Sequence, residues 1–179
     1  MTVLEIVLLV IVLVIALVLI IAAFVKRQFN VEMETTINKP KQEVFNYIKL
    51  LRNQDHYSKW ATMDPKMEKS YRGTDGTVGF VSAWDSKIDS VGVGEQEIKK
   101  IVEGERIDFE LRFIKPFEAT EPAFMTTEAI SENQTKVKWG FSGHMSYPMN
   151  LMMLFMDFEK MIGDDLQTGL NNLKSELEK

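Results

Sequence analysis

Twenty consecutive residues, Ile6–Val25, carry no charge, and 17 of them are Leu, Ile, Val or Phe. At about 1.5 Å per residue such a run makes a helix roughly 30 Å long, the thickness of a bilayer's hydrocarbon core. With about −0.3 to −0.6 kcal/mol for each central apolar residue, its insertion into lipid is favoured by roughly 5–10 kcal/mol. A cleaved signal peptide would need a basic leading segment, a shorter apolar core and a small-residue cleavage site. Here Glu5 precedes the run, with no Lys or Arg before it. The expectation is a transmembrane anchor over residues 3–25. It contains no glycine, and Ala16, Ala22 and Ala23 make no small-xxx-small face, so it reads as an anchor and not as a dimerisation device. Lys26 and Arg27 follow directly. The positive-inside rule then predicts a single pass through the cell membrane, N-terminus outside and the following domain in the cytoplasm.

The 154 residues beyond Val25 suffice for one domain with a real core. Of the charged side chains only Glu5 lies before them, so they hold 21 basic and 25 acidic groups, a net charge of −4. That balance lacks the electrostatic footprint of a phosphate-backbone binder and argues against a nucleic-acid partner. With no cysteine there is no disulfide framework, thiol nucleophile or Cys-ligated zinc, and two histidines cannot make a His-rich metal site. No metal or cofactor is expected. Oligomeric state leaves no trace in the sequence.

After a juxtamembrane tether over 26–30, Val31, Met33, Thr35 and Ile37 alternate with Glu32, Glu34 and Thr36, the pattern of a half-buried strand. So short a tether keeps the domain within about 20 Å of the lipid. Asn38-Lys39-Pro40 starts a helix whose apolar stripe is Val44, Phe45, Ile48 and Leu51. Six further strands are predicted at 67–71, 78–84, 94–101, 106–114, 123–130 and 136–145, separated by turn signals such as Gly73-Thr74-Asp75-Gly76. Ile107, Phe109, Leu111 and Phe113 alternate with charged neighbours, and Val137, Trp139 and Phe141 repeat the pattern, as expected where one sheet face is wet. A long amphipathic helix over 150–178 closes the chain, with Leu151, Phe155, Phe158, Ile162, Leu166, Leu170, Leu173 and Leu177 near one stripe. This order predicts an α+β domain over 31–178: a curved antiparallel sheet of about seven strands wrapped around a long C-terminal helix, preceded by one transmembrane helix.

Several local segments carry a resemblance. They are Ile37-Asn38-Lys39-Pro40 with Val44-Phe45, Trp60-Ala61-Thr62-Met63-Asp64-Pro65, Val78-Gly79 with Trp84, and Glu105-Arg106-Ile107. Further on come Phe113-Ile114-Lys115-Pro116-Phe117-Glu118, Met161-Ile162-Gly163-Asp164-Asp165 and Gly169-Leu170-Asn171-Asn172-Leu173. In these the chain resembles the helix-grip, START-like superfamily (SRPBCC), nearest to bacterial polyketide cyclase/dehydrase-like proteins. The resemblance implies a hydrophobic cavity between sheet and long helix; it does not imply a cyclase reaction.

If the apolar strand faces point inward, parity brings in Phe80, Ser82 and Trp84 together, Gln96 with Ile98, Tyr71 with Met67, and Met125 with Thr127. Gln96 is the most informative, because a buried amide needs partners: a ligand, a bound water or a nearby Tyr hydroxyl. Trp60, Trp84 and Trp139 either line a pocket or fill core. Phe109, Leu111, Phe155, Phe158 and Ile162 complete the candidate cavity wall. Six methionines between Met145 and Met161 suit a pliable mouth, a lipid-facing lip, or plain burial under the loop at 60–65. His56 and His144 have no nucleophile or carboxylate arrangement beside them, and Asp164-Asp165 reads as solvated charge. Gly92-Val93-Gly94 is followed by no helix N-terminus, so it is no phosphate loop.

The reading is a membrane-anchored domain binding a hydrophobic or amphipathic small molecule, lipids included. The alternatives are a cyclase/dehydratase-type enzyme using Tyr71, Gln96 and His56, or a structural interaction protein with a filled cavity.

Overall fold

The computed structural model describes residues 2–179. Helix α1 (Val3–Phe24) opens with a capping box: the Glu5 N–H donates to the Thr2 hydroxyl, and the Thr2 N–H donates to the Glu5 carboxylate at 2.9 Å. It is long and apolar enough to span a membrane, and nearly all its side chains are exposed. Strand β1 (Gln28–Ile37) begins three residues after the helix-capping Val25, earlier than the alternation alone indicated. Helix α2 (Lys41–Lys49) follows Pro40, then a 3-10 turn (Leu51–Asn53) and two short helices, α3 (Gln54–Tyr57) and α4 (Lys59–Met63).

The remaining strands are β2 (Glu68–Arg72), β3 (Val81–Asp85), β4 (Val93–Val102), β5 (Arg106–Lys115), β6 (Ala119–Ser131) and β7 (Gln134–His144). They form one antiparallel seven-stranded sheet in the order β1-β7-β6-β5-β4-β3-β2. On its wet face Arg112 bridges β5 to β4, donating to Glu95 at 2.7 Å and Glu97 at 2.8 Å. The predicted strand over 78–84 shortens at its start because Gly79 has φ +87° and turns the chain before Val81.

Helix α5 (Phe158–Leu177) lies in the concave face, against β1. The expected helix from residue 150 is instead two elements: a 3-10 segment (Met149–Leu154), a break, and α5. Two side chains impose the break. Asn150 is drawn to the end of α1, and Asp157 caps a fresh helix by accepting the Lys160 N–H. The stripe then runs Phe158, Ile162, Leu166, Leu170, Leu173 and Leu177 as anticipated.

The core is filled unevenly. At the end of the sheet remote from α1, Ile37, Val44, Phe45, Ile48, Ile107, Val137, Leu170 and Leu173 are all fully buried around the α2 side of the grip. Gly169 lets α5 come close to the sheet, since a Cβ there would stand 2.7 Å from the Trp139 ring and 3.5 Å from the Tyr57 carbonyl. Gly169→Val should force helix and sheet apart and cost roughly 1–3 kcal/mol, read as a lower urea midpoint for the loss of Trp fluorescence; an unchanged midpoint would show that the contact yields freely.

Candidate functional site

Towards the α1 end the same grip is hollow. A cavity of about 290 Å³ lies between β3–β7, the short helices α3 and α4, and the first half of α5. Its wall is mostly aromatic and aliphatic. Trp60, Trp84 and Trp139, the three tryptophans of the chain, all line it, with Leu111, Phe113, Phe141, Ile162 and Leu166.

Local packing explains how Trp84 comes to stand there. It pairs with Gly94, whose missing side chain leaves space for the indole, and its Nε1–H donates to the Val91 carbonyl at 3.2 Å. Its ring meets Phe113 edge-on at 6.3 Å. Gly92, with φ +66° and the Lys115 carbonyl against its α-carbon, turns the β3–β4 connection tightly enough to bring Val91 into the wall. Two polar ties hold the surrounding segments. The Ser86 hydroxyl donates to Asp64 at 2.6 Å, and Lys59 of α4 pairs with Asp165 of α5.

The inner end of the cavity is polar. Ser82 and Gln96 face each other across β3 and β4, one pair deeper than Trp84 and Gly94, and Gln54 of α3 joins them in the wall. Gln54 and Gln96 are each 8 % exposed. The Gln54 Nε2 group is buried, and the Tyr57 phenol is its polar neighbour. It sits close enough to the Tyr57 phenol to work against the burial that, with Tyr47, pushes that phenol far up. The wall also holds an ion pair, Lys69 with Asp55, and Tyr71 donates to Asp55 from outside the cavity, at 2.8 Å each. An apolar chamber with amide and hydroxyl side chains in one part of its wall suits an elongated or ring-bearing molecule with a polar group at one extremity.

Of the side chains singled out from sequence, Trp60, Met67, Ser82, Trp84, Gln96, Leu111, Trp139 and Ile162 stand on the cavity wall. The others do not. Phe80, Phe109 and Met125 keep the inward parity but are packed into the solid end of the grip. Tyr71 stacks on Phe80 at 6.1 Å, and burial with the Asp55 hydrogen bond pushes it up to about 12. Its proton is therefore held at neutral pH. Thr127 donates to the Gly104 carbonyl, closing the β4–β5 turn. Phe158 stacks on Phe29 at 5.9 Å, and Phe155, in the break before α5, is 85 % exposed.

Phe113 and Phe141 belong to alternations visible in the sequence and follow from them. Gln54, Ser58 and Val91 carry no such signal, because they come from short helices and a turn. His56 and His144 are exposed, and Asp164 and Asp165 pair with Lys160 and Lys59. Among the described residues no cluster of three His, Cys, Asp or Glu side chains is placed to hold a metal ion.

One carboxylate lies on the inner sheet face. Glu121 is buried beside Leu111, accepts the His144 N–H at 2.9 Å, and has its pKa raised by burial, which the His144 contact only partly opposes. A raised folded-state pKa means that ionisation costs stability, fully so above that pKa and not at all below the ordinary value of 4.5. Glu121→Gln should therefore melt higher than the parent at pH 7, with the difference vanishing as pH falls below the ordinary carboxylate range; a difference independent of pH would refute this origin.

Solved structures share this architecture. The chain is similar to the Aha1 dimer protein of Colwellia psychrerythraea, with 14% identity over 84% of this chain and 96% of that one, at a TM-score of 0.57. It is equally similar to Ara h 8.0201, with 14% identity over 84% and 98% of the two chains and a TM-score of 0.57. Protein MLL2253 of Mesorhizobium loti gives 13% identity over 84% and 97%, with a TM-score of 0.59. At such identities the likeness is one of fold, and the fold is the helix grip. No family model and no curated protein matches the sequence.

Proposed function

We propose that this protein is a membrane-anchored helix-grip domain that binds a hydrophobic or amphipathic small molecule in the cavity between sheet and α5. The observation that carries the reading is the cavity itself: aromatic along its length, with Ser82, Gln96 and Gln54 among its lining residues. At about 290 Å³ it is at the lower edge of the roughly 300–1,000 Å³ common for small-molecule sites. It suits one ring system or one acyl chain better than a whole phospholipid. Polar side chains in an apolar wall fix a ligand's orientation, and a ligand carbonyl, carboxyl or hydroxyl oxygen would meet these amides and the Ser82 hydroxyl. A cyclase or dehydratase chemistry has less support, since Tyr71 lies outside the cavity with its proton held by Asp55, and His56 is exposed.

The tryptophans provide the test. Titrating the full-length protein in lipid nanodiscs with a brominated fatty acid should quench Trp fluorescence saturably. Gln54→Leu should weaken that binding about tenfold, the order of one hydrogen bond, while leaving the protein as stable or more so. Absence of saturable quenching by brominated fatty acid and brominated sterol alike would remove the binding reading.

In the same proposal α1 crosses the membrane, with Lys26 and Arg27 on the cytoplasmic side. The chain has no cysteine, so Glu132→Cys in the β6–β7 turn offers a unique thiol. It should resist a membrane-impermeant thiol reagent in intact cells and react after lysis; labelling in intact cells would invert the orientation.

A further inference from the structure

Between Met145 and Met156 there are twelve residues without a charge, five of them methionine. Tyr147, Met149, Leu154, Phe155 and Met156 are exposed, a contiguous apolar stretch of a kind that domains seldom leave in water. This stretch is joined to the last two turns of α1. The Asn150 side chain is fully buried, and its Nδ2 donates to the carbonyls of Ala22 at 2.7 Å and Val25 at 3.0 Å. The Tyr147 hydroxyl donates to the Leu19 carbonyl at 3.2 Å, and Ala22 is the one residue of α1 that the contact buries completely. The Asn150 bonds satisfy carbonyls that a helix end otherwise leaves unpaired, and such groups are costly at the edge of hydrocarbon.

The depth follows from helix geometry. Leu19 is six residues before Val25, so Tyr147 reaches about 9 Å back along the axis of α1. If α1 spans the bilayer, that level is inside the lipid boundary, the depth of about 5–10 Å at which interfacial amphipathic segments lie. The residues facing outward there are those such a segment presents: Tyr, Leu, Phe and Met, with Lys26 and Arg27 at the lipid edge beside it and the Arg27 guanidinium 5.6 Å from the Tyr147 ring.

We propose that Met145–Met156 is a second membrane contact, seated in the bilayer interface against the C-terminal turns of α1. The partner is the lipid of the membrane that α1 crosses, and the inference rests on the proposed span. Its consequence is that the domain is held at a fixed attitude, with the hollow end of the grip at the lipid and the solid end away from it.

The absence of cysteine makes the test direct. Single variants Phe155→Cys, Met149→Cys, Leu13→Cys and Glu132→Cys of the full chain would each carry an environment-sensitive NBD fluorophore in phosphatidylcholine–phosphatidylglycerol vesicles containing spin-labelled lipids. Labels at 155 and 149 should emit to the blue of the label at 132. They should be quenched several-fold more by a spin label near the headgroup than by one at the bilayer centre, with the opposite order at 13. Water-like emission at both 155 and 149 with normal quenching at 13 would overturn this contact and leave the span intact. Blue-shifted emission that lipid-borne spin labels fail to quench would also overturn it, since protein would then cover the segment. An unquenched label at 13 would overturn the span and this contact together.

Discussion

The seating of α5 on β1 and β7 is the contact on which the rest of the molecule depends. Sheet curvature and helix position are set together where Gly169 admits Trp139 and where Gly163 faces Met33. Because glycine occupies both points, the helix approaches more closely than a side chain would permit. Beyond Gly169, Leu170 and Leu173 fill the space to α2 completely. Before it, Ile162 and Leu166 line one side of the cavity, with Leu111, Trp139 and Phe141 of the sheet across from them.

That hollow is lined by side chains with rigid shapes. Tryptophan and phenylalanine hold a space open where flexible aliphatics would collapse into it. Its polar part is costlier: the buried amides of Gln54 and Gln96, and a buried carboxylate on the same sheet face at Glu121. Interiors seldom keep such groups unless something else is gained.

The junction with α1 follows the same logic of satisfied polar groups. A helix ends in carbonyls that need donors, and Asn150 supplies two from a segment 125 or more residues away in sequence, with Tyr147 bonding Leu19 one turn back. The same bonds explain why the C-terminal helix does not start at residue 150. The amide that would sit in its first turn is committed elsewhere, so the chain restarts at Asp157 with a new cap.

Periodicity made most of the architecture legible. The apolar run of α1, the alternations of β1, β5 and β7, and the stripe of α5 each follow from a local rule, because each element buries one face and the spacing of apolar residues records which. Strand parity likewise put Ser82, Trp84, Gln96, Leu111 and Trp139 on the concave face. Parity could not say how far along that face the core is solid. Phe80, Phe109 and Met125 obey the same alternation as the cavity-lining residues, yet they lie at the filled end. Depth along a strand is set by what packs opposite, and that is decided by α2, α3 and α5, which are distant in sequence. Gln54 entered the wall and Phe155 left it for this reason: a four-residue helix and a break between helices have no period to read. The sequence by itself determined the elements and their inward faces. Only the tertiary structure decided where the interior is empty, because a void is a property of opposing surfaces and not of either one.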